Sequence, residues 1–187
     1  MKRLTLFLLL LLGAWTFQAC NSNSSEKDSA EQAEEANDDK DVREDDSEFA
    51  VKAASGGLME VELGRLAQQK AQSQRVKDFG AMMVEDHTKA NNELKTLATA
   101  KNISLPATMG EEHRKHVDDL SKLSGAEFDR EYIDLMVKDH DEDIKHFKEA
   151  ADDAKDTDMK AFAAKTLPVL QKHHDAVKAI QDGMKNQ

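Results

Sequence analysis

Cysteine is almost missing from this chain. The single Cys20 leaves no partner for an internal disulfide, so the fold must hold by packing alone. Proline is confined to Pro106 and Pro168, and only one Trp and one Tyr are present. Scarce proline leaves room for long uninterrupted helices. Positive charge is in deficit: 26 Lys and Arg stand against 37 Asp and Glu, for a net charge of −11. That balance excludes a nucleic-acid binder, which needs clustered Lys and Arg. What remains is rich in Ala, Lys, Glu, Asp and Leu, the composition of a helical protein. A length of 187 residues suits one domain.

Long hydrophobic runs are also absent after the first residues. Leu4 to Ala14 is an apolar run of about eleven residues behind Lys2 and Arg3, too short to span a bilayer comfortably. It ends in Phe17-Gln18-Ala19-Cys20, which resembles a bacterial lipoprotein signal. The resemblance implies a signal peptide over residues 1–19, cleavage before Cys20 and lipidation of its thiol. A plain secretory signal with a spare cysteine is the alternative. Asn21 follows, with no Asp to direct retention in an inner membrane. The expected location is therefore the cell envelope, as an outer-membrane lipoprotein held to the membrane through Cys20. Residues 20–47 are Ser-, Asn-, Glu- and Asp-rich without apolar periodicity, and read as a disordered acidic linker.

From Ser47 onward the pattern is helical, giving a bundle domain over residues 48–182. Ser47 is placed to cap a first helix with Phe49, Ala53, Gly57, Glu60, Gly64, Ala67 and Ala71 at three- and four-residue steps. Ser73 opens a second helix to about Lys101, with Val76, Phe79, Met83, His87, Leu94 and Leu97 on one face. A short crossing helix over about Thr108–Leu123 carries His113 and His116 at the surface or rim. Ser124 with Glu127 has the spacing of a capping box. The helix it opens runs to about Asp152, with Tyr132, Met136, His140, Ile144 and Phe147 inward. The last helix covers about Asp158–Asp182, with Met159, Phe162, Leu170, His173 and Val177 inward and a kink expected at Pro168. Four long amphipathic helices joined pairwise by short turns make an all-α, antiparallel four-helix bundle, with the short helix crossing between the two hairpins.

One phrase occurs twice. Phe79–His87 reads FGAMMVEDH and Tyr132–His140 reads YIDLMVKDH, with the two histidines 53 residues apart. In each copy the aromatic, the Met and the His are four residues apart, stacked on one helix face. The repetition suggests two related hairpins. Counting from the expected turns, Glu60 and His87 lie level to within about 5 Å, and so do His140 and His173. One Glu and three His, one from each long helix, can thus converge in the bundle's middle. Asp86 and Asp139 stand beside their histidines and Asp143 one turn beyond His140. Such carboxylates can hold the second imidazole nitrogen of a metal-binding histidine, or be solvated.

The stretches AASGGLMEVELGRLAQQKA, VKDFGAMMVEDHTKANNELKTLA, LSGAEFDREYIDLMVKDH and FAAKTLPVLQKHHDAVK resemble the DUF4142 family over about Glu48–Ile180. The resemblance implies a ferritin-like bundle of the bacterial envelope with no established activity. It carries Glu60, His87, His140 and His173 as the matching polar positions. True di-iron bundles use Glu-x-x-His, but Val84, Val137 and Leu170 stand three residues before the three histidines. A di-iron centre is therefore not expected. Imidazoles with one carboxylate suit a single Zn, Cu, Ni or Fe ion. Met83 and Met136 are core packing or additional soft ligands. No nucleophile elbow, Ser-His-Asp arrangement or phosphate loop is present, which argues against a hydrolase. Two readings stand: a metal-binding bundle, or a non-catalytic structural or interaction module whose core histidines form a hydrogen-bond network.

Overall fold

The computed structural model describes residues 27–185. The expected signal peptide and Cys20 lie outside the described residues. Six helices follow in order: α1 (Ser29–Asp38), α2 (Glu44–Lys70), α3 (Gln74–Ala100), α4 (Glu111–Ser121), α5 (Gly125–Asp153) and α6 (Thr157–Lys185). The two hairpins α2–α3 and α5–α6 form the four-helix bundle, and α4 crosses between them against α2 and α5. No described helix is long and apolar enough to cross a membrane.

Most expected helix ends fall within two or three residues of those observed, but their chemistry differs. Helix α2 begins at Glu44, so Ser47 lies in its first turn and its hydroxyl donates to the Glu44 carbonyl at 2.9 Å instead of capping. Ser73 and Ser124 occupy cap positions without a side-chain capping bond. The first turn is closed from outside. The Asp129 carboxylate, on α5, accepts the backbone N–H groups of Gln72 at 3.0 Å and Ser73 at 2.8 Å. The second turn is closed in the same way by Asp46, on α2, which accepts from Lys155 at 3.0 Å and Asp156 at 2.8 Å. Each hairpin thus seals the other's turn with a buried carboxylate. This reciprocal clasp fixes the relative height of the hairpins. Helix α6 runs unbroken through Pro168.

Within the first hairpin, small residues set the approach. A Cβ on Gly64 would lie 2.7 Å from the Gly80 carbonyl oxygen, and one on Gly80 would lie 2.7 Å from the Ala67 Cβ. Backbone therefore touches backbone where α2 crosses α3, one turn beyond Glu60 on α2 and two turns before His87 on α3. The apolar core has two clusters. One holds Met59, Leu63, Phe79, Met83, Phe128, Tyr132, Met136 and Val177. The other holds Ala50, Leu94, Phe147, Met159, Phe162 and Leu170. Glu60, His87, His140 and His173 are buried between them in sequence on all four helices. Met83 and Met136 are fully buried in the first cluster.

The segment 27–47 is ordered, against the expectation of a disordered linker. Asp28 caps α1, accepting from Ala30 N at 2.7 Å, and its other oxygen accepts the Glu111 N–H at the start of α4. That backbone donor holds the Asp28 carboxyl below its usual pKa. Asn37 is buried and pairs with the backbone of Ser104 in both directions, at 3.0 and 2.7 Å. Ala33 is buried and Val42 packs on the second cluster. Polar side chains dock this segment, so a search for apolar periodicity misses it. A chain beginning at Asp41 should lose these caps and bonds and about 3 kcal/mol of stability. Its thermal midpoint should fall by roughly 6–12 °C, a shift calorimetry resolves. An unchanged midpoint would show that the segment adds nothing.

Candidate metal centre

Four helices bring one polar side chain each into a single buried layer. Glu60 is 2% exposed, His87 5%, and His140 and His173 0%. The three imidazole centroids lie 5.1 to 5.8 Å apart. The two copies of the repeated phrase meet here: the Phe79 and Tyr132 rings are 6.1 Å apart and the His87 and His140 rings 5.8 Å.

The hydrogen bonds decide where each ring's proton sits. His140 Nδ1 lies 3.1 Å from the Met136 carbonyl, which can only accept, so Nδ1 carries the proton and Nε2 keeps its lone pair. His173 Nε2 lies 2.8 Å from Asp86 Oδ2, so Nε2 donates and Nδ1 keeps the lone pair. His140 Nε2 and His173 Nδ1 then face each other at 3.4 Å. With both rings neutral, two acceptors oppose one another in a dry core. His87 Nδ1 lies 2.7 Å from Glu60 Oε2, and His87 Nε2 has no partner.

Asp86 therefore serves the histidine of another helix, not its neighbour His87. Burial alone would raise its carboxyl. The His173 hydrogen bond and the charges of His173 and Lys172 outweigh that and hold it below the usual carboxylate range. Asp139 meets Glu60 instead of an imidazole, and burial pushes both carboxyls well up. Two ionised carboxylates have no donor between them. A proton on Asp139 lets it donate to Glu60. Asp143 is half-buried; burial and the charge of Glu60 raise its carboxyl as well. His113, expected at the rim, is half-buried on α4 and hydrogen-bonded through Nδ1 to Ser55 Oγ at 2.7 Å.

Among the described residues, with every carboxyl ionised, four buried side-chain atoms lack a hydrogen-bond partner: Glu60 Oε1, His87 Nε2, Tyr132 OH and Asp139 Oδ2. All belong to this one locality. Tyr132 was placed in the core by its periodicity. Spacing along the helix does not reveal its orphaned hydroxyl near Glu60 and Asp139; a Tyr where the other copy has Phe79 is the sequence signal for it. One ring nitrogen from each of His87, His140 and His173 lies within 4.8 Å of the others, and Glu60, Asp139 and His140 meet the same condition. Such groups could hold a metal ion.

The fold and this layer define a helical bundle with a buried histidine–carboxyl centre. The sequence profile of DUF4142, a domain of unknown function, matches residues 27–180, and the chain belongs to that family. Among solved structures, a DUF305 fragment from Deinococcus radiodurans is similar, with a TM-score of 0.65 at 11% identity, over 74% of this chain and 95% of that one. At that identity the likeness shows the fold alone. No curated protein matches the chain.

Burial lowers the His87 and His173 pKa values from 6.5 to about 4, and lowers His140 well below its usual value. An unfolded chain protonates these rings near 6.5. Their contribution to stability is therefore complete above that pH and is lost as pH falls toward about 4. The raised carboxyls of Glu60 and Asp139 act oppositely: their contribution is lost as pH rises through their elevated values. Nitrogen NMR of the metal-free protein should show neutral rings at His87 and His173 down to about pH 5, with midpoints near 4. Midpoints near 6.5 would mean that the layer is open to water.

Proposed function

We propose that this protein is a lipid-anchored envelope protein whose bundle core binds one divalent transition metal, Zn, Cu, Ni or Fe. The carrying observation is the pair of opposed lone pairs, His140 Nε2 and His173 Nδ1, 3.4 Å apart. Metal–nitrogen bonds of about 2.0–2.1 Å at a tetrahedral angle separate two ligand nitrogens by about 3.3 Å. The pair thus has the spacing of two ligands on one ion. His87 and Glu60 complete the set, with Glu60 Oε1 lying 3.7 Å from His140 Nε2. Asp86 and the Met136 carbonyl hold two of the imidazoles in the tautomer that offers a lone pair. A cation would replace the proton shared by Glu60 and Asp139 and take up the lone pairs of Glu60 Oε1 and His87 Nε2.

Burying several imidazoles costs free energy unless each lone pair finds a partner. A closed hydrogen-bond network is the alternative to a metal, and the partnerless His87 Nε2 and Tyr132 OH argue against closure. Melting of the tag-free protein should rise with one of the four metals, because an ion bound only to the folded state stabilises it. His140→Ala should abolish that rise. The metal should stay bound at about pH 5.5, since protons do not compete effectively until the rings titrate near 4. No shift with any of the four, or an equal shift in His140→Ala, sinks the metal reading and leaves the network.

Anchoring rests on Lys2, Arg3, the short apolar run and Ala19-Cys20. Two or three acyl chains supply stable attachment at about 0.8 kcal/mol per buried methylene. Cys20→Ser should accumulate unprocessed or lose its lipid, as mass spectrometry of the N-terminus would show. Normal lipidated material from that variant would end the idea.

A further inference from the structure

A small cavity lies against the metal-centre layer. It measures about 20 Å³ and is lined by Glu60 and His87. A void needs roughly 10–15 Å³ and two to four polar partners to hold one water-sized molecule. This one has both. Asn91, Asp143 and Thr166 add polar groups to its wall, and side chains of the second apolar cluster, among them Leu94 and Phe162, close the rest. Gly57 is part of the arrangement: a Cβ there would collide with the Asn91 amide, so the missing side chain lets that amide lie against α2 at the cavity wall. Ala53, Asp143 and Phe147 line both this cavity and an open groove of about 300 Å³ between α2 and α5. The cavity and the groove therefore share a wall.

We infer that this cavity is the seat of a small exogenous ligand beside the metal, a molecule of at most about three non-hydrogen atoms such as water, a diatomic gas or a linear triatomic anion, admitted from the α2/α5 groove. The inference rests on the metal-binding reading of the same layer. It restricts the chemistry of the centre. Organic substrates do not fit, so the centre acts on or senses small molecules. The mixed wall suits such ligands: His87 and Glu60 sit on one side, and the apolar face on the other does not compete for hydrogen bonds.

The test uses the Co2+-loaded protein and its visible ligand-field bands. Azide or nitric oxide should shift the bands of the wild type saturably, while imidazole, too large for the cavity, should not. Ala90→Leu on α3 fills the void without replacing a proposed ligand. It should keep Co2+ affinity within about threefold and need at least about tenfold more azide or nitric oxide for the same shift. Thr166→Leu, from α6, is the second blocker and should behave alike; whichever keeps the wild-type helical circular dichroism decides. The inference is overturned if neither small probe moves the wild-type bands, if imidazole moves them, or if a folded blocker responds like the wild type. Failure of Co2+ to bind the wild type overturns this inference as well, while the metal reading itself stands or falls on the melting test with Zn, Cu, Ni and Fe.

Discussion

The contact between His87 Nδ1 and Glu60 Oε2, 2.7 Å apart and both buried, sets the terms for the rest of the core. A carboxyl buried this deeply is tolerated only where donors reach it. Asp139, carrying a proton, provides one, and His87 Nδ1 lies against Glu60 Oε2. His87 Nε2 is left without a partner. The same logic passes along the layer. The Met136 carbonyl takes the His140 proton and Asp86 takes that of His173, so each ring is locked in one tautomer and turns a lone pair toward the others. The layer is rigid at its periphery and unsatisfied at its middle, which is what a preorganised cation site requires.

That layer can exist only if four helices stop at the right heights. The Asp46 and Asp129 carboxylates perform this levelling, each reaching from the start of one hairpin to the turn of the other. The contact between Gly64 and Gly80 draws α3 onto α2 within two turns of the polar pair, short enough for Glu60 to touch His87. The apolar clusters above and below then seal the layer. They explain why the imidazoles stay neutral far below their usual titration range. Packing, register and electrostatics are one device here: opening the hairpins by a turn would undo the tautomers along with the contacts.

Much of this was legible in the chain itself. Apolar residues at three- and four-residue steps specify four long helices, because a helix that fails to bury such a stripe gains nothing by forming. The repeated phrase ending in Asp-His marked two of the histidines, and counting from the turns brought Glu60 and His173 to their level. The acidic segment before α2 was not legible. Asn37 and Asp28 dock it through hydrogen bonds to backbone far away in sequence, which no local periodicity records. The bond from His113 to Ser55 was equally hidden, since Ser55 sits on another helix.

The sequence by itself determined the helices, their inward faces and the identity of the four polar side chains that must share a core, because these follow from local spacing along a single helix. Only the tertiary structure decided which carboxylate serves which imidazole. Asp86 precedes His87 in the chain yet holds His173, and Asp139 precedes His140 yet meets Glu60. Adjacent residues on a helix point about 100° apart, so a neighbour in sequence faces a different helix. The partner is then chosen by how the helices pack, and with it the tautomer of each ring and the chemistry the layer can perform.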